Sequence, residues 1–139
     1  MNFDNNINNA IKLLEEFNVN TVYLFGSASR GELRLDSDVD IAFLSDDDID
    51  EYRTFMKAQE IANVFNRDCD LIDLKKTSTV LKAQIIGNGK KIFCNDEIKR
   101  AYFEMRSLKE YALLNEERGE ILKNIESSGS VYGKRRNLQ

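Results

Sequence analysis

Two carboxylates, Asp38 and Asp40, flank Val39 at the head of the apolar run Ile41-Ala42-Phe43-Leu44. Side chains at i and i+2 of a β-strand leave the same face. The spacing therefore predicts that Asp38 and Asp40 project together, with Val39, Ile41 and Phe43 turned to the opposite, core-facing side. Two carboxylates held this close repel unless a cation lies between them. Mg²⁺ takes one or two carboxylates and completes its shell with phosphate oxygens and water, so the natural occupant of such a pair is a metal–nucleotide complex.

The other half of that chemistry is separated from Asp38 by ten residues, where the run Thr21-Val22-Tyr23-Leu24-Phe25 ends in Gly26-Ser27. Glycine lets the backbone approach a phosphate, and the amides that follow it can point into an anion. Ser27 adds a hydroxyl donor. A short helical turn from Ala28 would aim its positive end at the same place, with Arg30 one turn further on and in reach of a phosphate. The competing role for Arg30 is a surface ion pair with Glu32.

A third carboxylate would complete a two-metal site. The run Asp70-Leu71-Ile72-Asp73-Leu74 reads as a third strand, and by alternation Asp70 and Asp73 face opposite sides. Asp70 opens this strand as Asp38 opens the second, and neighbouring strands lie about 4.8 Å apart. Asp70 is therefore the expected third carboxylate, with Asp68 on its face and Asp73 turned away. The chain contains no histidine, which excludes imidazole general bases, Ser-His and Cys-His dyads and imidazole-built zinc sites. If the chain is an enzyme, its chemistry is expected from carboxylates with a hard metal.

These residues need a scaffold, and the remaining pattern supplies one. At 139 residues, with 42% hydrophobic and 32% charged residues, the chain suits one globular domain able to bury a core without disulfides. Cys69 and Cys94 are expected as small buried hydrophobes. No apolar run reaches the roughly 20 residues of a membrane span, and Met1 to Asn5 lack the features of a signal peptide, so a cytoplasmic location is expected. A net charge of −4 argues against direct, sequence-independent nucleic-acid binding.

Periodicity predicts helices at Asn6 to Phe17, capped by Asp4 or Asn5, and at Ile49 to Asn66, opened by the acidic cluster at Asp46, Asp47 and Asp48. Tyr52, Phe55, Met56, Ile61, Ala62 and Phe65 are the expected core contacts of the second. A third helix is expected from Val80 to Ile86 behind Thr77-Ser78-Thr79, then a strand at Lys90 to Cys94. Asn95, with Asp96 and Glu97 behind it, would cap a long final helix ending near Glu126, bent or frayed at Gly119, with Ile98, Ala101, Tyr102, Met105, Leu108 and Ala112 as its apolar stripe. The expected order is α-β-β-α-β-α-β-α, an α+β domain over residues 1–126 around a small sheet. Residues 127–139 read as a flexible or partner-ordered tail carrying Lys134-Arg135-Arg136.

The sequence strand, Gly26-Ser27, ten residues, Asp38-x-Asp40, strand, helix, Asp70-led strand resembles the nucleotidyltransferase superfamily related to DNA polymerase β. It is most similar to the minimal nucleotidyltransferases, the MntA-type antitoxins of HEPN/MNT toxin–antitoxin pairs. The Ala28 to Glu32 loop, Asp36-Ser37 and the Ile85 to Lys90 segment match as well, and the likeness runs from about Asn6 to Cys94. It implies a mixed sheet backed by helices and transfer of AMP from ATP to a hydroxyl. It further implies two Mg²⁺ ions held by Asp38, Asp40 and Asp70, and β and γ phosphates held by Gly26, Ser27 and the amides beside them. The implied partner is a cognate HEPN ribonuclease toxin, modified on a tyrosine within a hetero-oligomeric complex. The alternatives are a small-molecule or RNA-end acceptor, or an antitoxin that neutralises by contact alone.

Overall fold

A computed structural model describes residues 3–26 and 37–127 of the chain. Helix α1, Phe3–Leu14, runs into a tighter turn at Glu15–Phe17, and Asn18 reverses the chain in the left-handed conformation, φ 54°. Asp4 and Asn5 lie inside the helix, so neither caps it as expected. Strand β1, Val19–Phe25, and strand β2, Val39–Ser45, pair antiparallel. Helix α2, Glu51–Phe65, is capped by Asp50, whose carboxylate accepts the Arg53 amide. The acidic cluster thus lies ahead of the helix, where Asp46 pairs with Lys99 and Asp48 with Lys76.

Strand β3, Cys69–Asp73, runs parallel to β2. Helix α3, Thr79–Asn88, is capped by Ser78, and strand β4, Lys90–Cys94, pairs antiparallel with β1. Helix α4, Glu97–Ser127, continues through Gly119. Its cap is Asp96, which accepts the Lys99 amide, rather than Asn95, which bonds back to Asn20 and Val19. The element order is the expected one, and the four strands form a mixed sheet in the order β3-β2-β1-β4.

Strand alternation divides the core in two. Val22, Leu24, Val39, Ile41, Phe43 and Leu71 pack against Ala10, Leu14 and Phe17 on one side and Ala58, Ile61 and Phe65 of α2. On the opposite face Tyr23, Ala42, Leu44 and Ile72 meet Leu81 and Ile85 of α3 and Phe103 of α4. Two of the expected stripes are corrected here. α2 buries Ala58, Ile61 and Phe65 and leaves Tyr52, Phe55 and Met56 exposed; α4 turns Ile98, Tyr102, Met105 and Leu108 to solvent and buries Ser107. Periodicity reports that a helix has an apolar stripe, whereas the inward face is chosen by what the sheet can accommodate. Among the described residues no helix is long and apolar enough to cross a membrane.

Candidate functional site

Antiparallel pairing brings the end of β1 beside the start of β2, and the parallel pairing of β3 sets its first residues on the other flank. Phe25 stands opposite Asp40 across one ladder, and Asp40 stands opposite Asp70 across the other. All three leave the face that α3 and α4 cover further along the strands. That cover runs out toward the start of β2: Ala42 is fully buried, Asp40 half-buried and Asp38 exposed. Two bonds hold the entry to the strand. The Val39 amide donates to the Asp68 carbonyl at 2.9 Å, and Arg67 Nη1 donates to the Ser37 carbonyl at 3.3 Å.

Gly26 closes the site on the β1 side. Its φ is +70°, and a Cβ at this position would run into Oδ2 of Asp40. The backbone therefore passes the carboxylate at a distance only glycine permits. Ser27 and Arg30, the expected phosphate ligands, lie outside the described residues, as does the tail beyond Ser127.

Burial, then the charge of Asp70, then that of Asp38, push the Asp40 carboxyl above its ordinary value. The neighbouring thiol reports the same field: burial, followed by Asp70, Asp40 and Asp38, pushes Cys69 up to about 12. It is half-buried and free, as is Cys94. Carboxylates gathered in this way beside a glycine cradle suit a hard divalent cation. Among the described residues no three Asp, Glu, His or Cys side chains stand close enough to hold an ion by themselves. Asp73, as its parity required, is turned to the α2 face and buried.

The sequence reading missed a polar brace behind the site. Tyr23 OH donates to Glu104 at 2.6 Å, and Arg100 bridges Glu104 and Glu97, at 2.7 Å each. Burial first, then the bond to Glu104, hold the Tyr23 phenol above its ordinary range. This fastens α4 to the strand that carries Gly26. Glu97, Arg100 and Glu104, spaced i, i+3 and i+7, were the signal in the sequence. A cavity of about 560 Å³ lies between α4 and the far end of β2, near Leu44, Ser45, Lys99 and Tyr102. It is four residues, roughly 13 Å of strand, from Asp40 and belongs to a different part of the surface.

The fold and the Asp40–Asp70 pairing have the build of a nucleotidyltransferase. Residues 7–98 match the family described as Polymerase beta, Nucleotidyltransferase, and the chain belongs to that family. It is 34% identical over 122 residues to the protein adenylyltransferase MntA of Shewanella oneidensis, covering 86% of this chain and 87% of that protein. A crystal structure of a toxin–antitoxin with AMP-PNP superposes with a TM-score of 0.77 at 33% identity, over 89% of this chain and 98% of that one. A solved structure of tri-AMPylated Shewanella oneidensis HEPN toxin in complex with MNT antitoxin gives a TM-score of 0.73 at 32% identity, over 88% and 97% of the two chains.

Proposed function

We propose that this chain transfers AMP from ATP to a hydroxyl, a tyrosine by its likeness to MntA, of a HEPN ribonuclease toxin, and so acts as the antitoxin in a complex with it. The observation that carries the reading is the Asp40–Asp70 register beside the Gly26 cradle. In this reading Asp38 and Asp40 would hold two Mg²⁺ ions with the triphosphate, Asp70 would contribute to one of them, and Gly26, Ser27 and Arg30 would bind the β and γ phosphates. Bound there, Mg²⁺ would neutralise the triphosphate and make the α-phosphorus more electrophilic. The acceptor oxygen forms a bond to the α-phosphorus, the bond from that phosphorus to the bridging oxygen of the β-phosphate breaks, and pyrophosphate leaves. Asp70 takes the hydroxyl proton.

The catalytic unit in this reading is residues 1–126, with residues 127–139 left to the partner, and the reaction belongs in the cytoplasm, where ATP is. The test is to incubate the chain with the purified toxin, ATP and Mg²⁺ and to weigh the toxin by mass spectrometry. The expected result is addition of AMP by the wild type and none by folded Asp38→Ala or Asp40→Ala. Addition that survives both substitutions refutes the site. Small molecules and RNA ends in the same assay test the other acceptors.

A further inference from the structure

The sheet has an open side, and it borders the candidate site. In the order β3-β2-β1-β4, strand β3 is an edge, and among the described residues nothing pairs with its outer side. Two bonds set its parity: the Val39 amide donates to the Asp68 carbonyl, and the Leu74 amide to the Phe43 carbonyl. In a parallel ladder a residue sends both its backbone groups to the same neighbour and the next sends both away. Residues 68, 70, 72 and 74 therefore face β2, and Cys69, Leu71 and Asp73 turn their backbone groups outward. The Asp73 carbonyl is taken by the Lys76 amide, which leaves the Asp73 amide and both groups of Cys69 and Leu71 along the edge.

A groove of about 430 Å³ follows this edge between β3 and α2. Its floor includes Asp73, only 8% exposed, whose Oδ1 accepts the Lys75 amide while Oδ2 is buried without a hydrogen-bond partner. A buried carboxylate oxygen left unmatched costs free energy that an incoming N–H donor would recover. Glu51 adds a second carboxylate to the lining, and the groove's lysine, Lys76, is already engaged by Asp48 and the Ile49 carbonyl. The wall toward α2 carries Phe55, 59% exposed, on one stripe with the exposed Tyr52 and Met56.

Unpaired strand backbone, an orphaned acceptor, an acidic lining and an exposed aromatic describe a site for an extended polypeptide. An anionic nucleic-acid backbone would be repelled by the same carboxylates. Resting on the function proposed above, we infer that the HEPN partner docks its acceptor segment here as an added strand, with uncharged or basic side chains against the acidic lining. Strand addition draws affinity from main-chain bonds and specificity from alternate side chains. It also aims the segment at the chemistry: alternate side chains of the added strand leave the carboxylate face about 4.8 Å from Asp70, and the acceptor hydroxyl is one of these.

The experiment is residue-resolved amide exchange on the isotopically labelled chain with AMP-PNP, with and without the purified HEPN toxin. The amides of Cys69, Leu71 and Asp73 are expected to slow by about tenfold or more, while those of Asp70 and Ile72, already bonded to β2, change little. Unchanged exchange at Cys69 and Leu71, or protection confined to α4, overturns the docking site. A second arm uses the exposed Phe55: Phe55→Glu should raise the toxin KM about tenfold or more without changing ATP affinity, and Phe55→Leu should stay near the wild type. An unchanged KM in Phe55→Glu also overturns it. Failure of the wild type to add AMP to the toxin would instead refute the proposed function, and amide protection still decides the docking.

Discussion

Replacing Asp40 with asparagine should make the nucleotide-free protein more stable while abolishing its chemistry. Asp40 is half-buried between two anions, Asp70 in register with it on β3 and Asp38 two residues back on its own strand. At a separation of about 5 Å, two unit charges repel by about 3 kcal/mol at an effective dielectric constant of 20 and by less than 1 kcal/mol in water. Asp38 and Asp70 are exposed, which discounts the repulsion toward the lower figure. Relief of about 1 kcal/mol is expected at pH 7, or a rise of about 4 °C in Tm for a domain of this size. The folded-state pKa of Asp40 lies above its ordinary 3.8, so the folded chain binds the proton more tightly than the unfolded one. Wild-type stability therefore falls as pH rises from 3.8 through the raised value, and the Asp40→Asn advantage present at pH 7 disappears below pH 3.8. The assay is thermal unfolding from pH 3 to 8, repeated with Mg²⁺ and AMP-PNP. The ligands should reverse the order, since a ligand at a hundredfold excess over its Kd stabilises by about 2.7 kcal/mol and the variant has lost a ligand for the metal. An Asp40→Asn protein less stable than the wild type at pH 7 without ligands would refute the reasoning.

Three further substitutions test the scaffold. Gly26→Ala combines a positive φ with a methyl group driven into the Asp40 carboxylate; urea unfolding should show a loss of about 2 kcal/mol and the transfer assay no product. Tyr23→Phe removes the bond to Glu104 and should cost about 1.5 kcal/mol in the same denaturation experiment, with Glu104 still held by Arg100. Lys57 is buried, pairs with Glu16 and Glu60 at 3.0 and 2.9 Å and lies over the Phe17 ring. Both carboxylates reach solvent, so Lys57→Met should be neutral to within about 1 kcal/mol, whereas Lys57→Ala loses the packed stem and about 2 kcal/mol. Burial pulls the Lys57 pKa down, but Glu60 and Glu16 outweigh it and the net shift is upward. The contribution of the pairs is thus complete below pH 10.5 and is lost as pH rises through the folded-state value; titrating stability through that range in wild type and Lys57→Met checks the sign.

The elements most legible in the sequence were those whose pattern is local. Strand β4 falls on Lys90–Cys94, the segment expected, and Ser78 caps α3 from the Thr-Ser-Thr signal. The parity that separated Asp70 from Asp73 needs nothing beyond a strand, and the structure sets them on opposite faces. Helix faces were less legible. Tyr52, Phe55 and Met56 have helical spacing and apolar character, yet they lie outward because α2 packs through Ala58, Ile61 and Phe65. α4 repeats the pattern: its buried side holds Ser107 and half-buried Phe103, small or flat enough to lie against the sheet and α3.

Residue type and spacing determined which side chains share a face: carboxylates without histidine, a glycine-led loop and two aspartates on one strand face, because side-chain alternation is a property of a few adjacent residues. Tertiary structure alone decided what meets what. The strand order sets Asp70 against Asp40, leaves β3 as an open edge beside a buried and unmatched Asp73, and ties Tyr23 to α4 through Glu104. Those contacts join residues separated by thirty or more positions, and they come from the packing of whole elements against one sheet, which no local pattern encodes.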